Sequence, residues 1–202
     1  HTFAILLYVL EKLNYYDHYV KSGEYARGKC FSHFGQSFCE LAGKTWGIIG
    51  LGAIGRKVAQ IATAFGCRVI CYSASGNKYD SPYEQVDFDT LLERSDILSV
   101  HAPLNKYTKN LMDLDAFKKM KNSAIFINVA RGAIVNEQDL YTALETQEIA
   151  GACLDVLTEE PMNPQNPLLR IQDSNRLVIT PHIGWAAKET RARLLGILED
   201  NL

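Results

Sequence analysis

Residues 44–59 set a short apolar run, Thr45–Ile49, against three spaced glycines, Gly50, Gly52 and Gly55, and then turn amphipathic. The run has the length of a buried strand, and Val58, Ile61, Ala62 and Phe65 recur at helical spacing. Gly66 stops that helix, and Arg68–Tyr72 supplies a second apolar run, which completes strand, helix, strand. In such a unit Gly50 permits a tight turn, Gly52 lets a pyrophosphate approach the backbone, and Gly55 lets helix and strand pack closely. The first amides of the helix point toward the phosphates and suit their charge. Glycines so spaced also occur at ordinary strand-loop-helix corners; the flanking elements are what point to a dinucleotide.

The chain keeps alternating after the second strand, as a doubly wound parallel sheet requires. Asp87 or Asp89 can cap a short helix through Leu91 and Leu92, and residues 96–100 form a third strand. Pro103 ends regular pairing at that strand's carboxyl end. A helix over residues 114–120 leads to a fourth strand at 124–129, and a helix over 137–146 leads to a fifth at 149–156. A loop with Pro161, Pro164 and Pro167 precedes a sixth strand at 177–180, and the chain is again helical from Ala186. The expected fold is α/β: a Rossmann-type doubly wound parallel sheet in three α/β/α layers.

With 202 residues, 47% apolar, and a formal net charge of −2, the chain can bury one core and lacks polyelectrolyte character. Nucleic acid is therefore not expected as a partner. The five cysteines, Cys30, Cys39, Cys67, Cys71 and Cys153, are odd in number and form no C-x-x-C pair. They suggest neither a disulfide framework nor a metal site, and small buried thiols in a cytoplasmic protein are expected.

Residues 2–20 read as one helix, with Phe3, Leu6, Leu7, Leu10 and Leu13 in three- and four-residue steps. Glu11 and Lys12 make it too charged for a membrane span, and without a basic leader or small-residue cleavage site it is not expected to be a signal peptide. A chain that opens at His1 inside a helix reads as part of a longer protein. Residues 15–40 are aromatic-rich and irregular, with Tyr15, Tyr16, Tyr19, Tyr25, Phe31, Phe34 and Phe38. This arm lies either on its own domain or on a partner subunit, where aromatics are enriched.

Several polar residues fall where strands end. Arg131 follows the fourth strand, Asp155 lies at the end of the fifth with Glu160 beyond, and His182 follows the sixth. In a parallel sheet these ends share the edge that holds the glycine turn. Singly, each reads as an ordinary loop residue; together, beside a dinucleotide site, they form a constellation for acid-base work.

Five ordered motifs closely resemble the D-isomer-specific 2-hydroxyacid dehydrogenases. They are the glycine run at 50–55, His101-Ala102-Pro103-Leu104, Asn128-Val129-Ala130-Arg131-Gly132, Leu154-Asp155-Val156 with Glu159-Glu160-Pro161, and Thr180-Pro181-His182-Ile183-Gly184. Trp185 and residues 19–25 resemble the glycerate dehydrogenase or hydroxypyruvate reductase branch. The resemblance implies a coenzyme domain spanning 1–202, with the substrate domain outside this chain, and a homodimer formed through the coenzyme domain. It assigns Arg131 to the carboxylate and carbonyl of a small 2-keto or 2-hydroxy acid, and His182 with Glu160 to acid-base catalysis. Asp155 resembles the residue that binds the nicotinamide carboxamide, and Ala53 and Ile54 the pyrophosphate contacts. With the motif reading, the expected cofactor residues are Gly50, Gly52, Ala53, Ile54, Gly55, Ser73, Ser75, His101, Ala102, Pro103, Val129, Ala130, Arg131, Asp155, His182 and Gly184. A non-enzymatic dinucleotide sensor or corepressor on the same fold is the alternative, because fold alone does not fix function.

One position departs from the family pattern. NAD users of the family usually carry an acid at the end of the second strand, which accepts hydrogen bonds from the ribose and repels a 2′-phosphate. Here Ser73 stands in its place, and no Asp or Glu occurs between Glu40 and Asp80. Ser73, Ser75, Asn77 and Lys78 could receive a 2′-phosphate or form a polar turn, so the expected cofactor is NAD or NADP.

Overall fold

The computed structural model describes residues 1–199; residues 200–202 lie outside it. The sheet is built from β1 (Thr45–Ile49), β2 (Arg68–Tyr72), β3 (Glu84–Gln85), β4 (Ile97–Val100), β5 (Ile125–Asn128), β6 (Gly151–Leu154) and β7 (Leu177–Ile179). Their order is β3-β2-β1-β4-β5-β6-β7, and every pairing is parallel. Strand order reverses between β1 and β4, which opens a crevice at their carboxyl ends.

Both faces of the sheet are covered, which is why its strands are continuous apolar runs and not alternating ones. Side chains alternate between two cores. Ile48, Ile97, Ile127 and Cys153 face α1 (Thr2–Leu10) and α4 (Ala53–Ala64). Ile49, Leu98, Phe126 and Leu154 face α5 (Phe88–Arg94), α6 (Leu114–Lys119) and α7 (Glu137–Glu145). Each Leu, Ile or Phe fully buried this way stabilises the fold by roughly 1.5–3 kcal/mol relative to exposure. Asp87 caps α5 by accepting from the Thr90 amide at 2.8 Å, Asp113 caps α6, and Asn136 caps α7.

The expected long N-terminal helix is two helices. Lys12 adopts a left-handed conformation (φ 56°) between α1 and α2 (Leu13–Lys21), and its Nζ donates to the Asn175 carbonyl at 3.0 Å. Past Leu10 the sheet offers no more apolar surface: α2 buries no residue, and Leu13 is 43% exposed. The arm is likewise less irregular than expected, since it contains α2 and α3 (Glu24–Arg27) before becoming coil.

Three further expectations are corrected. The inward face of α4 is Gly55, Val58, Ala59 and Ala62, with Ile61 and Phe65 on its flank; Phe65 stacks on Phe3 instead. Strand β3 was not expected, because two exposed polar residues at a sheet edge carry no apolar signal. Cys67, Cys71 and Cys153 are buried, but Cys30 and Cys39 in the arm are exposed. The final helix, α8, spans Lys188–Glu199.

Candidate active site

The glycine turn sits at the carboxyl end of β1, beside the strand-order reversal. Gly50 has φ +90°, and a Cβ there would lie 2.8 Å from Ala102 on the neighbouring strand end. A Cβ on Gly55 would lie 2.2 Å from the Gly50 carbonyl oxygen, so only glycine lets α4 start this close to β1. A Cβ on Gly52 would meet nothing within 4 Å. That open space lies at the N-cap of α4, whose first-turn amides have no carbonyl one turn back to bond. It fits an anionic pyrophosphate.

Arg131 is presented by the turn after β5. Buried Asn128 ties that turn down: its side-chain amide donates to the Arg131 carbonyl at 2.9 Å, and its oxygen accepts from the Ala130 amide at 3.1 Å. A Cβ on Gly132 would lie 1.9 Å from the Leu157 carbonyl carbon, so glycine lets this turn press against the loop after β6. The Arg131 side chain is exposed, and its Nη1 donates to the Ala130 carbonyl at 2.6 Å.

His182 follows β7 in a left-handed conformation (φ 54°). Its Nδ1 lies 2.7 Å from Glu160 Oε2, and Glu160 Oε1 accepts from the Leu157 amide at 2.8 Å. Partial burial pushes the Glu160 carboxyl up, but the Leu157 amide and the His182 hydrogen bond and charge outweigh it. The carboxyl therefore sits below its ordinary range, against opposition from the Asp155 charge. An ionised carboxylate only accepts, so Nδ1 carries the hydrogen and Nε2 is the nitrogen left to exchange protons.

Asp155, 2% exposed, stands just past β6. Its Oδ1 accepts from the Thr180 hydroxyl at 2.6 Å and the Ile183 amide at 2.9 Å, and its Oδ2 accepts from the Gly184 amide at 2.8 Å. A cavity of about 590 Å³ brings together Ala53, Ile54, Val129, Arg131, Asp155, His182 and Gly184. His1, Lys57 and Trp185 line it too. Glu160 lines a neighbouring cavity of about 430 Å³ that shares Asp155 and His182.

The remaining expected residues lie outside that cavity. Gly50, Gly52, Gly55, His101, Ala102 and Pro103 flank the crevice along the same edge, and Ala130 serves as the acceptor for Arg131. His101 closes a buried relay: Trp46 Nε1 donates to Ser99 Oγ at 2.8 Å, and Ser99 Oγ lies 3.0 Å from His101 Nε2. Burial pushes the His101 imidazole down to about 4, so it is neutral near pH 7. Ser73 is 4% exposed, with its Oγ 3.2 Å from Ser75 Oγ, while Ser75, Asn77 and Lys78 are exposed. Sequence reading missed His1, Lys57 and the polar role of Thr180. No local pattern marks them; His1 meets Thr180 across 179 positions of chain.

Residues 3–184 match the model of the D-isomer specific 2-hydroxyacid dehydrogenase, NAD binding domain. The chain is 36% identical to a hydroxypyruvate reductase of Blautia hydrogenotrophica, over 98% of this chain and 62% of the relative. Among solved structures it superposes on a D-lactate dehydrogenase from Aquifex aeolicus complexed with NAD and lactic acid, with a TM-score of 0.85 and 28% identity over 98% of this chain and 64% of that one. It also superposes on an acyclic imino acid reductase (Bsp5) in complex with NADPH and D-Arg, with a TM-score of 0.81 and 34% identity over 100% of this chain and 62% of that one. The chain spans about 60% of the length of most of the curated relatives it matches, and less of others. It belongs to the D-isomer specific 2-hydroxyacid dehydrogenases, and matches their NAD-binding domain.

Proposed function

We propose that this chain is the coenzyme-binding and catalytic half of an oxidoreductase. The enzyme moves a hydride reversibly between a nicotinamide dinucleotide and a small D-2-hydroxy or 2-keto acid, and a substrate domain outside this chain completes the site. The observation that carries the reading is the His182–Glu160 pair at 2.7 Å, with His182 lining one cavity together with Arg131 and Asp155.

The residues fit the cofactor. Open space at Gly52 and the free amides at the start of α4 suit the pyrophosphate, and Asp155 keeps acceptor capacity for a carboxamide. Bound nicotinamide supplies a hydride in reduction and takes one in oxidation. Arg131, permanently charged and forked, holds the acid's carboxylate and stabilises negative charge growing on the carbonyl oxygen. His182 Nε2 gives a proton to that oxygen in reduction and takes it from the alcohol in oxidation. Glu160 fixes the ring and its tautomer through Nδ1. A non-enzymatic sensor is the weaker reading, because the relatives carry the names of reductases and dehydrogenases.

The cofactor is NAD or NADP. The exposed Ser75, Asn77 and Lys78 favour tolerance of a 2′-phosphate over its exclusion. The arm supports a homodimer: Phe31 is 93% and Phe34 89% exposed, a large apolar surface for one segment. Among the described residues no helix is long and apolar enough to cross a membrane. Five free thiols, two of them exposed, fit a reducing cytoplasm.

The test is steady-state reduction of hydroxypyruvate, glyoxylate and pyruvate by the full-length protein with NADH and with NADPH. Turnover that falls steeply in Arg131→Lys, which lacks the planar fork, supports the reading. Cofactor binding without turnover of any 2-keto acid would return the sensor.

A further inference from the structure

His1, at the start of α1, reaches across the domain to the carboxylate at the heart of the site. Its Nε2 lies 3.1 Å from Asp155 Oδ1 and 3.0 Å from Thr180 Oγ1, and its side chain is 20% exposed. The proton positions follow from chemistry. Thr180 has one hydroxyl proton, and the 2.6 Å contact to Asp155 Oδ1 uses it, because a carboxylate oxygen only accepts. Thr180 Oγ1 therefore accepts from His1, and His1 Nε2 must carry a hydrogen shared between the hydroxyl and the carboxylate.

Counting acceptors on Asp155 then distinguishes its two oxygens. Oδ1 receives the Thr180 hydroxyl, the Ile183 amide and His1, which saturates its two lone pairs. Among the described residues Oδ2 receives only the Gly184 amide, which leaves one lone pair open. Glycine at 184 keeps that oxygen accessible, since a Cβ there would lie 2.8 Å from Oδ2.

We propose that His1 is a positioning residue for the nicotinamide end of the site. Its Nε2–H pins Asp155 through Oδ1, so that Oδ2 remains free to accept an N–H from the carboxamide of the dinucleotide. The inference rests on reading this edge as a nicotinamide dinucleotide site. It makes the grip on the nicotinamide, and not on the adenosine or pyrophosphate, depend on α1.

Calorimetric titration with NADH and with ADP-ribose, which lacks the nicotinamide, separates the possibilities. Wild type should bind NADH more tightly than ADP-ribose. His1→Leu, which removes the donor, should weaken NADH by about tenfold, or about 1.4 kcal/mol, and leave ADP-ribose unchanged. His1→Gln, which restores an N–H near the Nε2 position, should recover most of the loss. Equal weakening of both ligands in His1→Leu would mean that His1 only holds the fold, and an unchanged NADH affinity would mean that it holds nothing; either overturns the proposal. Equal affinity of wild type for the two ligands would overturn the reading of Asp155 itself, and the proposal with it.

Discussion

His182 Nδ1 and Glu160 Oε2 stand 2.7 Å apart, brought together from two different loops, one after β6 and one after β7. Glu160 is held below its ordinary range, so it is ionised near pH 7 and keeps the hydrogen on Nδ1. In the full-length protein His182→Ala should lower kcat by about 10²- to 10⁴-fold, the usual contribution of a general acid-base group. Glu160→Gln should also lower kcat, because an amide can donate as well as accept and no longer fixes the hydrogen on Nδ1. An unchanged kcat in Glu160→Gln would refute the pairing as a catalytic one.

The end of β2 sets the choice of cofactor in our reading. Ser73→Asp should raise the ratio of NAD to NADP affinity, because a carboxylate there repels a 2′-phosphate. Titration of both cofactors into both proteins measures the ratio directly. An unchanged ratio would show that Ser73, only 4% exposed, does not face the ribose, and would move the choice to Ser75, Asn77 and Lys78.

Two glycines of one turn should fail in different ways. In Gly55→Ala the new Cβ would sit 2.2 Å from the Gly50 carbonyl oxygen, so backbone must move. Overpacking of that kind costs about 1–3 kcal/mol, and denaturant unfolding should show it. Gly52→Ala meets no atom within 4 Å, so its unfolding midpoint should stay close to wild type while dinucleotide affinity falls. Comparable stability loss in both variants would contradict these assignments.

His101 should make the domain acid-sensitive. Its imidazole is pushed down to about 4 by burial, against an ordinary value of 6.5. Between those two values the unfolded chain binds a proton that the folded chain refuses, so stability rises with pH through this window. Acidification from 6.5 to 4 should cost on the order of 2–3 kcal/mol from this residue. Urea unfolding of wild type and His101→Gln across that range should give a shallower slope for the variant; parallel slopes would rule His101 out as the cause.

The order of elements, the glycine turn and the strand-end residues were legible in the sequence because each has a local cause. Buried parallel strands need continuous apolar runs, a tight turn needs Gly50, and the start of α5 needs a cap such as Asp87. What tertiary structure alone decided is what depends on distant neighbours. The first helix breaks at Lys12 because the sheet beneath it ends, although its apolar spacing continues to Leu13. His1 and Thr180 meet at Asp155 because α1 crosses the sheet face and brings its first residue to the carboxyl edge, a contact that no spacing along the chain encodes. Ser73, polar and at a strand end, reads from sequence as an open contact, yet it is buried against Ser75 because burial is set by the surrounding fold and not by residue type.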